Sequence, residues 1–178
     1  HYGVVGSQFI KDSSLIITYS VDGTMRLWNF EGKQLRIIEP HDYSAQLYFT
    51  NYDKNLFIIT SYDDTLRLRD TSNKILQVFP QSSMGIFSPD GNYITTSADD
   101  SSLNFWKYSG IDTLPFQKTS ILKMDGISLS PPEFSPDQNY FLTSSSDSAL
   151  RLWNINDVIN PQPATRNPKP VSTIKHPA

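Results

Sequence analysis

The sequence predicts an all-β protein built from four consecutive copies of one four-stranded unit. In each copy a polar turn with Asp leads into a run of alternating apolar and polar residues. The run ends at one recurring position, which we call the marked position and which is occupied by Trp28, Arg69, Trp106 or Trp153. These positions are spaced by 41, 37 and 47 residues, and periods near 40 are typical of repeat architectures. Apolar and polar residues also alternate with period two in every copy, which indicates strands.

Each unit is predicted to contain an inner, a second, a third and an outer strand. The inner strands are VVGSQF, AQLYF, MGIF and PPEF, and the second are LIITYS, LFIITS, YITTS and YFLTSS, rich in β-branched and aromatic residues. The third strands follow the turns SVDG, SYDD, SADD and SSDS, in which Asp and Gly favour tight reversals. The outer strands are QLRII, ILQVF, SILKM and VSTIK. The units span about residues 1–40, 41–80, 81–124 and 125–176, and no segment has the sustained periodicity of a helix.

Two segments lengthen the connection between the third and outer strands. They are YSGIDTLPFQKT (108–119) in the third unit and PQPATRNPKP (161–170) in the fourth. Proline stiffens such a connection, so we interpret the second segment as a rigid insertion. A proline-rich ligand for a recognition domain is the alternative.

These four units resemble the WD-repeat family of β-propellers along nearly the whole chain, although no copy keeps the Trp-Asp dipeptide intact. The resemblance implies four-stranded antiparallel blades arranged around a central channel. We therefore expect four blades of a β-propeller, forming an arc of a larger ring with further blades in the same chain. A closed four-bladed ring is the alternative.

The resemblance also implies a hydrogen-bond network in each blade. The Asp of the turn accepts from a His, the His bonds a Ser of the second strand, and that Ser accepts the indole N–H of the Trp. The matching residues are His1, Ser20, Asp22 and Trp28; His41, Ser61, Asp63 and Arg69; Ser97, Asp99 and Trp106; and Ser145, Asp147 and Trp153. In the third unit Asp100 fits equally well by its distance from Trp106.

Arg69 stands where the other copies have Trp, and two interpretations are open. Its N–H groups could replace the indole by donating to Ser61 or pairing with Asp63 or Asp70. Alternatively, it is a cation placed for an acidic partner.

The same His, Ser and Asp residues could be mistaken for a catalytic triad. A catalytic site is assembled once, whereas the Ser-X-Asp element returns in all four units, which favours a structural role. The paired carboxylates at 63–64 and 99–100 lie in turns, and His1, His41 and His176 fall one per unit. No Gly-rich phosphate loop is present, so we expect no catalytic, metal or cofactor site.

Composition argues against several other functions. A net charge of −3 and a pI near 5.5 give no basic footprint for nucleic acid. No apolar run approaches the length of a transmembrane helix, so membrane insertion is not expected. The chain has no Cys, which fits a cytoplasmic location.

The expected function is a rigid, non-catalytic scaffold that binds other proteins or peptides through loops. Candidate contact residues share one predicted rim and are aromatic or branched: Tyr2, Val21, Tyr43 and Tyr62. Packing of these side chains on neighbouring loops is the alternative. Rival functions are a sensor or regulatory propeller of a multidomain signalling protein, or a propeller hydrolase. A hydrolase would need His, Glu or metal-ligating residues on the inner strands, and these strands offer only Glu133.

Overall fold

A computed structural model of the chain contains four antiparallel sheets, each with four strands that are neighbours in chain order. It describes residues 3–10, 14–20, 22–38, 44–49, 56–61, 63–70, 72–82, 84–98, 101–110, 115–126, 130–160 and 168–175. This architecture confirms the predicted all-β fold of four-stranded antiparallel blades. Tight turns between successive strands make the pairing antiparallel.

The strands have the following bounds. The first sheet consists of β1 (Val4–Ile10), β2 (Leu15–Ser20), β3 (Met25–Asn29) and β4 (Gln34–Ile38). The second consists of β5 (Ser44–Phe49), β6 (Leu56–Ser61), β7 (Thr65–Asp70) and β8 (Ile75–Pro80). The third consists of β9 (Gly85–Phe87), β10 (Tyr93–Ala98), β11 (Ser102–Tyr108) and β12 (Phe116–Lys123). The fourth consists of β13 (Glu133–Phe134), β14 (Tyr140–Ser145), β15 (Ala149–Asn154) and β16 (Ser172–Lys175).

Strand β12 begins at Phe116, inside the segment 108–119 that the sequence predicted as an insertion. Its first residue, Phe116, is fully buried and packs against Phe87 and Tyr108. Three exposed residues follow it, so the alternation that identifies a strand is interrupted there. The prediction that residues 116–119 belong to a loop was therefore wrong.

A short helix, α1 (Ile155–Ile159), follows β15 directly and was not predicted. The side chain of Asn154 accepts a hydrogen bond from the backbone N–H of Asn156 and caps the helix. Ile155 and Val158 are buried against the third sheet. Five residues are too few to show a helical period in the sequence.

Each sheet has two distinct faces, because side chains alternate along a strand. We call the face that carries the marked residue the indole face and the other the aliphatic face. Three cores form where the aliphatic face of one sheet packs on the indole face of the next. The first core, for example, joins Ile17, Met25 and Ile38 to Phe57 and Ile59 of the second sheet.

Candidate functional site

Each Trp at a marked position donates its indole N–H to a Thr of the second strand. The distances from Nε1 to Oγ1 are 2.8 Å for Trp28 and Thr18, 3.1 Å for Trp106 and Thr96, and 2.9 Å for Trp153 and Thr143. Each Thr lies on the indole face of the second strand, two residues after the residue that pairs with the Trp.

The prediction that a Ser accepts this N–H was wrong. In the first and fourth sheets the acceptor lies two residues before Ser20 and Ser145, on the same strand face. Strand alternation allows both residues to point to that face, but only the Thr is close enough to the indole. The sequence signal that could have identified it is the Thr that precedes the Ser at this spacing.

In the second sheet both members of this pair are replaced. Register places Ile59 where the other sheets have the Thr, opposite Arg67, and Arg69 where they have the Trp. Arg69 is 4% exposed, and its Nη1 donates to the backbone oxygen and the side-chain Oδ1 of Asn73 at 3.1 and 3.2 Å. Burial leaves this guanidinium poorly placed for an external acidic partner, so the structural interpretation is favoured.

The Asp of the turn forms an ion pair with an Arg four residues later, on the third strand. The N–O distances are 3.5 Å for Asp22 and Arg26 and 2.5 Å for Asp63 and Arg67. In the fourth sheet Asp147 and Arg151 form the same pair. These arginines were not among the predicted network residues, although the Asp-X-X-X-Arg spacing recurs in three units.

The same carboxylates also hold the turns. Asp22 accepts from the backbone N–H and the hydroxyl of Thr24 at 2.9 and 2.7 Å, and these bonds lower its pKa. Hydrogen bonding from Arg151 lowers the pKa of Asp147 to about 2. Both groups are therefore anionic near neutral pH and serve as acceptors rather than proton donors.

The Ser of this network ties the preceding loop to the second strand. Ser20 Oγ donates to the Gly3 carbonyl at 3.2 Å, and Ser145 Oγ donates to the Asp125 carbonyl at 2.7 Å. For Ser61 the structure describes only the backbone.

Ser97 does not occupy the equivalent position, which corrects its predicted role. It lies opposite Leu103, as Ser144 lies opposite Leu150, whereas Ala98 takes the register of Ser145. The extra residue in the turn shifts the Ser-X-Asp element by one position, and this moves Ser97 to the aliphatic face. Its hydroxyl instead accepts from the Met84 backbone N–H at 3.0 Å. Asp99 lies outside the described residues.

The His positions differ between the units. His1, His41 and His176 lie outside the described residues. Counted eight residues back from the inner-strand Phe, as His1 lies eight before Phe9, the position in the fourth unit is Gly126. A Cβ there would lie 2.6 Å from the Ser145 hydroxyl. In the third unit the position is Phe79, a residue of the outer strand of the second sheet. Its ring packs edge-on against the ring of Trp106, with 4.8 Å between the ring centroids.

The candidate contact residues Tyr2, Val21, Tyr43 and Tyr62 all lie outside the described residues. Their neighbours are described, since Asp22 follows Val21 and Asp63 follows Tyr62 in the turns held by the ion pairs. In the described ranges no three His, Cys, Asp or Glu side chains are grouped so that they could hold a metal ion. The single described helix does not meet the length and apolarity needed to cross a bilayer.

Comparison with known families gives one match. The sequence model described as "WD domain, G-beta repeat" (WD40) matches residues 1–29, 74–107 and 118–154, which together cover more than half of the chain. These segments contain the three Trp–Thr pairs, whereas Arg69 and Ile59 lie between the first and the second segment. A search of curated proteins found no match.

Proposed function

This chain belongs to the WD40 family, and we propose that it is a rigid, non-catalytic scaffold for protein–protein interactions, as part of a larger WD-repeat protein. WD40 repeats generally mediate scaffolding between proteins. They are typically non-catalytic. The partners we propose are other proteins or peptides.

The observation that carries this proposal is the ion pair that holds the turn between the second and third strands. An Asp–Arg pair at the same spacing holds the turn in three sheets. In the second and fourth sheets the Arg donates two hydrogen bonds to the carboxylate, and in the first sheet the pair has a single contact of 3.5 Å. Ser20 and Ser145 fasten the preceding loops to the same edge of their sheets. A rim fixed in this manner presents its remaining side chains with little loss of conformational entropy on binding.

We place the partner surface at Tyr2, Val21, Tyr43 and Tyr62. Val21 and Tyr62 each precede a turn Asp, at a position that small polar residues would normally fill. Tyr is enriched among the residues that contribute most to binding, because its ring buries much area with few rotatable bonds. The surface therefore suits a partner segment that offers apolar and hydrogen-bonding groups.

The experiment compares proteins captured by the wild-type chain and by the double variant Tyr43→Ala, Tyr62→Ala. If both rings are hot spots, recovery of a direct partner falls by more than about tenfold. The control is Phe30→Ala, which removes an exposed aromatic ring from the turn between the third and outer strands, at the opposite rim. Equal recovery of every partner by the correctly folded double variant would remove this rim from consideration.

A further inference from the structure

The outer strand of the third sheet, β12, differs from the other outer strands in length and charge. It has eight residues, whereas β4, β8 and β16 have five, six and four. It carries two lysines, Lys118 and Lys123, while β4 and β16 carry one cation each and β8 carries none. A third lysine, Lys107, lies on the neighbouring strand β11, and neither of these two strands contains Asp or Glu. Together they form a basic patch on a chain whose net charge is −3.

The strand β12 is also an edge of its sheet. Among the described strands it pairs only with β11, so its other side presents backbone N–H and C=O groups that can pair with a further strand. Gln77 of β8 bonds both backbone groups of Phe116 at the start of this edge. Farther along, Thr119 Oγ1 donates to the Phe105 carbonyl at 3.2 Å. Because these bonds hold the edge in place, an added strand would cost little ordering of β12 itself.

Strand register arranges three exposed side chains of β12 in an even series on its indole face. Alternate residues of β11 pair with them in the order Ser102 with Lys123, Asn104 with Ile121, and Trp106 with Lys118. A β-bulge adds one residue to β12 before the last of these pairs, so the three side chains keep the spacing of alternate strand positions. Ile121 is 46% exposed although its sheet face is covered, because it lies at the outer end of that face. The edge therefore presents a cation, an apolar side chain and a second cation.

The ammonium group of Lys118 is held in position by an aromatic ring. Its Nζ lies 5.7 Å from the centroid of the Trp106 ring, a distance at which the ring face attracts a cation. In the described parts of residues 101–124 no acidic side chain is available to these lysines. The next acidic residue along the chain, Asp125, lies 3.8 Å from Arg151 of the fourth sheet. A carboxylate that meets the basic patch would therefore come from outside this pair of strands.

We propose that an acidic, extended segment of a partner protein adds to the third sheet as a fifth strand along β12. Its backbone pairs with the open edge, and its side chains place an acid, an apolar group and an acid opposite Lys118, Ile121 and Lys123. The lysines also reject basic segments, so the edge selects its partner. The edge of β8 carries an equally exposed apolar residue, Val78, but no charge, and so lacks this selectivity.

The probe is a fluorescein-labelled peptide with capped ends, Thr-Glu-Thr-Val-Thr-Glu-Thr. It has the acid, apolar, acid pattern at alternate positions, and it reads the same in both directions, so it fits either strand orientation. Fluorescence anisotropy at about 50 mM salt, where charge screening is weak, should show saturable binding to the wild-type chain. A peptide with Lys in place of both Glu residues should bind more than about tenfold more weakly, because its charges repel the patch.

A second control peptide separates strand pairing from charge attraction. It has Pro in place of the two Thr residues beside the Val, which removes two backbone N–H groups and keeps every charge. It should also bind more than about tenfold more weakly than the probe. Binding of the proline peptide as tight as that of the probe would overturn the proposal, because the interaction would then need no strand.

Charge reversal in the chain gives the matched test. Lys118→Glu with Lys123→Glu should weaken binding of the probe by more than about tenfold and create binding of the lysine peptide, which also shows that the variant is folded. The control is Lys33→Glu with Lys175→Glu, which changes the net charge equally at exposed sites outside β12. Lys175 has on β16 the register that Lys123 has on β12. This control should bind the probe as wild type does.

Hydrogen exchange locates the bound peptide. With the probe bound, backbone N–H groups at alternate residues of β12 should exchange more slowly, because only every second N–H of an edge strand points outwards. The rim variant Tyr43→Ala, Tyr62→Ala should bind the probe normally, so failure of the partner rim and failure of this edge are distinguishable. Absence of saturable binding would overturn the proposal, as would protection that appears on β8 and not on β12.

Discussion

At the scale of single residues, the repeated feature is a pair rather than a lone Trp. Wherever the marked position is Trp, a Thr stands beside it and accepts the indole N–H. In the second sheet Arg69 and Ile59 replace both members. An unpaired buried donor is costly, so loss of the acceptor is best tolerated when the indole is lost with it.

Thr143→Val should therefore destabilise the chain although it keeps the volume of the side chain. The indole N–H of Trp153 would lose its partner at a site that is 3% exposed, at a cost of about 1–3 kcal/mol in the free energy of unfolding. Urea denaturation measures this change. Thr173→Val, at an exposed Thr of β16, should stay within about 0.5 kcal/mol. Equal effects of both substitutions would contradict a role for the indole bond.

Asp147 should make stability depend on pH in the acid range. Its folded pKa of about 2 lies below the value of about 3.9 typical of unfolded chains, because Arg151 donates to the carboxylate. The stabilisation is therefore complete above the unfolded pKa and is lost as pH falls through 2. The difference in unfolding free energy between wild type and Asp147→Asn should be constant near neutral pH and shrink below about pH 4.

Urea denaturation from pH 7 to pH 2 gives this difference, and NMR titration of the carboxyl group gives the pKa directly. In Arg151→Gln the pKa of Asp147 should move upwards, because the main cause of its depression is gone. A difference that is independent of pH across the whole range would show that the pair contributes nothing.

At the scale of elements, one side chain joins two neighbouring sheets through their backbones. Gln77 on β8 donates from Nε2 to the Phe116 carbonyl at 2.8 Å and accepts from the Phe116 N–H at 2.9 Å. Gln77 is buried, and Phe116 is the first residue of β12. The amide thus satisfies both backbone groups at the point where β12 begins, and this explains why the strand starts inside the segment predicted as a loop.

Gln77→Met should loosen the start of β12. It removes both hydrogen bonds and leaves the buried N–H and carbonyl of Phe116 without them, which costs about 1–3 kcal/mol. Hydrogen exchange of the Phe116 amide should become faster. The matched control is Gln34→Met at an exposed site on β4, which should leave exchange and stability unchanged. If the Phe116 amide exchanges no faster in the Gln77 variant, the two hydrogen bonds from Gln77 do not stabilise the start of β12.

At the scale of the whole molecule, the cores lie between sheets and not within them. Each core takes residues from two consecutive sheets, so every sheet depends on its neighbours for burial. Stability in such an array is approximately a sum of the sheets and their nearest-neighbour contacts.

Phe141→Ala should weaken the third and fourth sheets together. Phe141 is fully buried and contacts Phe105 across the boundary, as well as Trp153, so its loss should cost about 3–5 kcal/mol. Leu142→Ala, one residue later on the opposite face of the sheet, should cost less than about 1 kcal/mol because Leu142 is 36% exposed. Hydrogen exchange should rise in β10, β11, β14 and β15 but little in β2. A uniform rise across all sheets would contradict nearest-neighbour coupling.

Local patterns in the sequence were sufficient for the turns, the repeat and the strands other than the start of β12. Alternation along LIITYS or ALRLWN depends only on adjacent residues, and the tight turns depend on the Asp and Gly within them. The same information placed Asp22, Asp63 and Asp147 in turns, where the structure has them. It also identified the marked positions that define the indole faces.

Tertiary structure decided which of these residues meet. The choice of Thr143 over Ser145 as indole acceptor depends on distances across a strand pair, and the shift of Ser97 depends on register after one extra residue. The pairing of Gln77 with Phe116 joins residues from different sheets that are 39 positions apart. The residues adjacent to either one in the sequence therefore do not predict it. Burial of one sheet face by the next is likewise a contact between distant segments, and an alternating pattern specifies a face without specifying its partner.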